Sequence, residues 1–312
     1  MELNQYELFE TPIELPDFDF QDRLNALEGL DDVKERASKI LSLLVNPSQL
    51  ENWAKSQNGL NSSLVNLVLR RPPLIVFEGD VGSGKTELAT TIGDLVARNH
   101  KIKILLYSLS LSTRGIGRVG EMTKLISTAF EFISSEAKKL KNGHGPSDGG
   151  IILLVDEADA LAQSRELSQM HHEDKAGVNA FIRGIDQLGN GKLPVAVIMC
   201  TNRVKSLDPA IKRRASEIFT FSRPNEVQRE AILKKYIGNM FDDALLKDLV
   251  KQTGPNGRAY GFTFSDLTQR LLPSIVLDAY PDRSITSDRI LELAKLIIPT
   301  SPFQEANGTN QN

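Results

Sequence analysis

The stretch Gly79-Asp80-Val81-Gly82-Ser83-Gly84-Lys85-Thr86 constrains this chain more than any other. It follows the pattern G-x-x-x-x-G-K-[ST]. The apolar run Leu74–Phe77 precedes it, and a helical pattern follows. A strand, a glycine loop and a helix in that order aim several backbone N–H groups at one point. The start of the helix adds partial positive charge there. Such a loop cradles phosphate. Gly79, Gly82, Ser83 and Gly84 would supply the backbone, Lys85 would reach the β- and γ-phosphates, and Thr86 would hold Mg²⁺. A glycine turn that merely caps a helix is the bland alternative, and the strand-to-helix setting argues against it.

Four more apolar runs alternate with longer helical segments: Ile102–Tyr107, Ile151–Val155, Val195–Cys200 and Ile218–Phe221. Unbroken apolar strands separated by helices predict a parallel sheet covered on both faces. The segments between them are long enough for right-handed crossovers. After Arg223-Pro224-Asn225 the strand pattern stops. Val227–Ile237, Ala244–Gln252, Ser265–Ala279 and Ser287–Leu296 read as helices of a separate subdomain. Leu30–Val45 also reads as helical, whereas Asn46–Arg71 gives no clear pattern. The expected division is an extended N-terminal arm over 1–26, a large nucleotide-binding α/β part over 27–222, a helical lid over 223–299 and a disordered tail over 300–312.

The run Ile151–Val155 delivers Asp156 and Glu157 at its carboxyl end, where ligands bind in open α/β sheets. Asp156 would orient Mg²⁺ through its water shell, and Glu157 would polarise an attacking water. The run Val195–Cys200 delivers Thr201 and Asn202. Asn202 would hydrogen-bond that water or the γ-phosphate. The basic run Lys212-Arg213-Arg214 follows it, where an arginine can project toward a neighbouring subunit and stabilise charge on the γ-phosphoryl group. The ligand implied is a nucleoside triphosphate. The 37 basic and 40 acidic residues give a net charge of −3, with no bulk attraction to nucleic acid or an anionic membrane. No apolar run approaches the roughly 18 residues a span needs. Met1–Phe20 is too acidic for a signal peptide. The single cysteine, Cys200, fits a reducing cytoplasm. His171 and His172 are adjacent, so they cannot share a helix face, and no metal centre is expected from them.

These elements in this order, followed by a helical lid, resemble the AAA+ ATPases from about Leu27 to Pro299. The resemblance implies an α/β fold: a P-loop AAA+ domain with a parallel five-stranded sheet of order 5-1-4-3-2, plus a smaller C-terminal helical lid subdomain. It implies ATP and Mg²⁺ as ligands. Glu28–Lys34 looks like the family's opening segment, which would set Gly29 and Leu30 near adenine. Within AAA+, Val178–Leu188 and Asp208–Arg214 resemble the pachytene-checkpoint group, which remodels HORMA-domain proteins. Arg214 matches its finger position, with Arg213 beside it. Compact bacterial members lie in cyclic-oligonucleotide anti-phage defence operons. The resemblance therefore implies a cytoplasmic homo-hexamer, or another ring, that hydrolyses ATP to unfold or disassemble a HORMA-domain protein.

Two departures stand out. At Gly117-Arg118-Val119-Gly120-Glu121, Arg118 replaces the aromatic that grips substrate in the family's pore. Ile116, Arg118 and Val119 would have to grip instead. In the lid, Gly261–Leu267 has no arginine where the group senses nucleotide, and Arg270 about one turn later is the substitute candidate. Two other functions fit the same fold. A nucleic-acid motor or loader has only Arg114 and Arg118 near the loop in its favour. A nucleotide-switched scaffold does not require the Asp156-Glu157 pair.

Overall fold

The computed structural model describes residues 8–57, 60–110, 121–141, 147–162, 172–190, 193–202 and 207–303. They form two compact units. The first holds residues up to Ala26, Asp32–Glu78 and Thr86–Thr220; the second holds Leu27–Asp31, Gly79–Lys85 and the chain from Phe221 onward.

The sheet is built from β1 (Ile13–Leu15), β2 (Leu74–Gly79), β3 (Lys103–Ser110), β4 (Gly149–Asp156), β5 (Val195–Thr201) and β6 (Ala215–Phe221), in the order β1-β3-β4-β5-β2-β6. Read from the β6 edge, the five predicted strands run 5-1-4-3-2, and β1 follows them. The expected count of five and the all-parallel sheet are thereby corrected. β1 pairs antiparallel with β3, with Ile13 opposite Leu106 and Leu15 opposite Ile104. Pro12 and Pro16 bound a short alternation whose Leu15 is buried, and β1 covers backbone groups that β3 would otherwise leave open. The expected arm is thus a strand followed by helix α1 (Phe18–Ala26). The inner strands β4 and β5 are buried along nearly their whole length, which explains their unbroken apolar runs. Parallel pairing sets Val155 beside Met199 and Glu78 beside Thr201, so the carboxyl ends of β4, β5 and β2 finish close to one level.

Further helices of this unit are α2 (Asp31–Val45), α3 (Pro47–Ser56), α4 (Ser62–Leu69), α5 (Lys85–His100), α6 (Glu121–Lys139), α7 (Asp159–Ala162), α8 (His172–Asn190) and α9 (Pro209–Lys212). The stretch without a clear pattern is therefore α3 and α4. The core joins sheet residues such as Val155 and Val197 to Ile126, Phe130 and Ile133 of α6 and Phe181 and Ile185 of α8. Phe130 and Phe181 meet edge-on, with ring centroids 5.6 Å apart. Each such buried side chain contributes about 1.5–3 kcal/mol, which anchors the two helices to the sheet.

The second unit contains α10 (Glu226–Ile237), α11 (Asp243–Gln252), α12 (Leu272–Ala279) and α13 (Ser287–Leu296). Asn225 and Gln228 form a reciprocal capping box at the start of α10. A π-helical turn, Asp266–Leu271, leads into α12. Pro273 accounts for it: proline has no N–H to donate and crowds the carbonyl four residues earlier, so the turn widens. Leu233, Leu249, Phe262, Leu267, Leu271 and Ile290 form the core. Of the tail expected to be disordered over 300–312, residues 304–312 lie outside the described residues. Within 300–303, the Thr300 N–H and hydroxyl donate to Asp266 at 3.0 and 2.7 Å, and the Tyr260 hydroxyl meets that of Ser301 at 2.8 Å. Among the described residues no helix is long and apolar enough to cross a membrane.

Candidate active site

In the second unit, the end of β2 opens into the phosphate loop. Gly79 has φ of 152°, and a Cβ there would lie 2.1 Å from the Phe221 carbonyl oxygen, so only glycine fits. Gly82 also has positive φ, 69°, and the Ser265 N–H donates to its carbonyl at 3.1 Å. Lys85 is buried, and its ammonium donates to the Asp80 carbonyl at 2.7 Å and the Gly79 carbonyl at 3.1 Å. The loop's own backbone thus keeps the cation at its centre. Leu27 and Leu30 lie 3.8 and 3.5 Å from where a Cβ on Gly84 would stand, so the Gly29-Leu30 segment is beside the loop. The Gln228 side chain donates to the Gly29 carbonyl at 2.6 Å and fixes that segment to α10.

In the first unit, Thr86 donates its hydroxyl to Asp156 Oδ1 at 3.2 Å. The same oxygen accepts the Glu157 N–H at 2.9 Å. Glu157 has φ of 50°, a left-handed conformation that costs a non-glycine residue of order 1–3 kcal/mol and clusters at functional sites. The Ala158 N–H donates to the Cys200 carbonyl at 2.9 Å, which ties the turn after β4 to the end of β5. Asp159 then accepts the Thr201 hydroxyl at 2.8 Å, the Asn202 N–H at 2.7 Å and the Asn202 side-chain amide at 3.1 Å. One carboxylate therefore orients Asn202. Arg23 of α1 forks onto Glu87, the residue after Thr86, at 2.7 and 2.9 Å, and steadies the first turn of α5. Burial pushes the Glu78 carboxyl up, against the Thr220 hydroxyl and the charge of Lys212.

Asp208 caps α9 by accepting the Ala210 N–H at 2.7 Å, and Pro209 pre-sets its first turn. Past that helix, Arg213 is exposed, whereas Arg214 forks onto Asp186 of α8 at 2.7 and 2.8 Å. The hydrogen bond that it donates to Asp186 raises the Arg214 pKa further and keeps it charged.

The family model described as "ATPase family associated with various cellular activities (AAA)" matches residues 75–223. CD-NTase-associated protein 6 of Escherichia coli strain MS 115-1 is 58% identical over 299 residues, covering 95% of this chain and 96% of the relative. The chain belongs to the AAA ATPase family. Its fold agrees with that of a chain in the E. coli MS115-1 HORMA:CdnC:Trip13 complex, at TM-score 0.89 and 55% identity over 97% of this chain and 100% of that one. Rhizobiales Trip13 is similar at TM-score 0.73 and 54% identity, over 95% of this chain and 100% of that one.

For this AAA chain, the first unit joins Thr86, Asp156 and the turn through Glu157 to Asn202, and the second gathers Gly79–Lys85 with Gly29 and Leu30. The pore-loop candidates Ile116, Arg118 and Val119 lie outside the described residues. Arg270 donates to Asp266 at 2.8 Å and to the Ile298 carbonyl at 2.9 Å, so it is engaged inside the lid. Sequence reasoning missed Asp159 and the partnership of Asp186 with Arg214. The signal for Asp159 was a third acid within four residues, Asp156-Glu157-Ala158-Asp159, after a buried strand. Nothing in the sequence singled out Asp186 within its helix.

Proposed function

We propose that this chain hydrolyses ATP and uses the cycle to unfold or disassemble a HORMA-domain protein, as a ring of identical subunits. The observation that carries the chemistry is the Asp159 carboxylate orienting Asn202 next to the Asp156-Glu157 turn. In this reading the backbone of Gly79, Gly82, Ser83 and Gly84 receives the phosphates with Lys85, and adenine lies against Gly29 and Leu30. Thr86 and Asp156 would hold Mg²⁺. Their hydroxyl and carboxylate oxygens, 3.2 Å apart, are the hard donors that ion prefers. When bound, the ion neutralises charge on the β- and γ-phosphates. Glu157 takes the proton of the attacking water, and Asn202 orients that water.

Arg214 acts on the nucleotide of the next subunit, where it stabilises the charge developing on the transferred phosphoryl group, with Arg213 beside it. A finger that reaches a neighbour requires a head-to-tail interface, and such interfaces close into rings or run into open spirals. The likeness to a chain of the HORMA:CdnC:Trip13 complex supports a HORMA-domain partner, and the likeness to a CD-NTase-associated protein supports a link to a CD-NTase; the cytoplasmic anti-phage role is the one the sequence resemblance implies. The loop carrying Ile116, Arg118 and Val119 would pull on the threaded segment.

The test uses Glu157→Gln with ATP as a trap. That variant should hold ATP without turning it over and retain a HORMA-domain protein only while ATP is bound. Hydrolysis at the parent rate would show that Glu157 is not the base. Retention of a protease chamber or a DNA-loading factor would overturn the choice of substrate, and stimulation of turnover by single-stranded DNA alone would favour a nucleic-acid motor.

A further inference from the structure

Asp80 places a negative charge inside a loop built to receive phosphate. Its Oδ1 accepts the Val81 N–H at 2.8 Å, and its Oδ2 accepts Arg223 Nε at 2.6 Å. Arg223 is held from three other sides within the same unit. Its Nη1 donates to the Gly261 carbonyl and its Nη2 to the Thr300 carbonyl, both at 2.7 Å. Its guanidinium lies 4.7 Å from the centre of the Tyr260 ring. The side chains of Arg223 and Asp80 are only 15% and 18% exposed. Solvent therefore screens the pair less than it would a surface pair.

One of the carbonyls that hold Arg223, that of Thr300, is tied back to the loop through the lid. Thr300 donates to Asp266, Asp266 accepts the Thr263 N–H at 3.0 Å, and the Ser265 N–H returns to the loop at Gly82. The direction of the guanidinium is thus fixed by the lid and by the segment after α13, and Asp80 is pinned to it.

We propose that Arg223 is a positioning residue for the phosphate loop, neutralising Asp80 and fixing its carboxylate so that the loop can receive a polyphosphate. This rests on the ATP-binding reading above. Without Arg223 the carboxylate would repel the incoming phosphates and compete with them for the loop's N–H groups. Removing Arg223 alone strands the Asp80 charge in the loop, whereas removing both partners does not. A residue that merely braced the lid would not show that asymmetry.

The experiment titrates fluorescent ADP and measures steady-state ATPase for the full chain, Arg223→Gln, Asp80→Asn and the double variant, with melting temperatures to check folding. Arg223→Gln should weaken ADP binding and raise KM for ATP about tenfold, with kcat changed by less than about twofold. Asp80→Asn should tighten binding, because the uncompensated Arg223 then attracts phosphate. The double variant should recover most of the affinity lost in Arg223→Gln. Unchanged affinity in Arg223→Gln, or a double variant as weak as that single one, would overturn the proposal. If Arg223→Gln does not fold, Asp80→Asn decides alone, and weaker binding by it refutes the proposed repulsion. Parent protein that binds no ADP would instead refute the ATP-binding reading itself.

Discussion

Replacing Asp159 by asparagine separates the orientation of Asn202 from the stability of the fold. Asp159 Oδ1 accepts the Thr201 hydroxyl at 2.8 Å and the Asn202 N–H at 2.7 Å, whereas Oδ2 accepts the Asn202 amide, at 3.1 Å. An asparagine with its oxygen in the Oδ1 place keeps the first two bonds. Its amino group then faces the Asn202 amino group, and two donors cannot bond. Asn202 must turn its amide over or swing away, so the orientation of its side chain is lost. A hydrogen bond to an ionised group contributes about 1.5–3 kcal/mol. Spent entirely on orientation, that is about a tenfold to hundredfold fall in kcat. The phosphate loop is untouched, so KM for ATP should change by less than about twofold. Weakening of the two retained bonds should cost about 1 kcal/mol, or roughly 2–4 °C of Tm. Asp159→Ala loses all three bonds and should lose both turnover and several more degrees. A coupled ATPase assay and calorimetry on the two variants read these quantities. If Asp159→Asn keeps kcat within about twofold of the parent, Asp159 is a structural brace and not the group that orients Asn202.

Arg214→Ala should lower turnover while leaving ATP binding near normal, and mixing it with Lys85→Ala subunits should recover activity if the finger acts in trans; no recovery at any ratio would count against a shared site. Asp266 supplies a pH test. Burial pushes its carboxyl up, but the Thr263 N–H, the Thr300 hydroxyl and N–H, and Arg270 together hold it below the usual carboxylate range. A depressed carboxyl contributes stability above its unfolded pKa of about 3.9 and loses it as pH falls through the folded pKa. Asp266→Asn should therefore lower Tm at neutral pH, and its gap from the parent should close in acid below that value. A gap that stays constant into acid would contradict the assignment.

The parts of the candidate site that sequence made legible share one property: their placement follows from local chain geometry. Gly79–Thr86 carries its own strand, loop and helix, and Asp156, Glu157 and Asn202 follow buried strands whose apolar runs cannot be mistaken. Such residues take their position from the chain immediately before them. β1 was read as an extended arm because its three residues gain meaning only from the open edge of β3, which lies far along the chain. The same reasoning separates the candidate catalytic residues from those that hold them. Asp159 meets Asn202 across 43 positions, and Arg223 meets Asp80 across 143. In one sequence neither pairing leaves a periodic trace, since a lone acid or arginine is more often a solvated surface group. The order at Thr300 is invisible for the same reason: its polar neighbours describe solubility, and its three bonds to the lid and to Arg223 depend on a fold already formed. Catalytic groups can therefore be nominated from local pattern. The groups that set their orientation become visible only when the distant partner is known, and variants at those positions discriminate best between a working site and a merely intact fold.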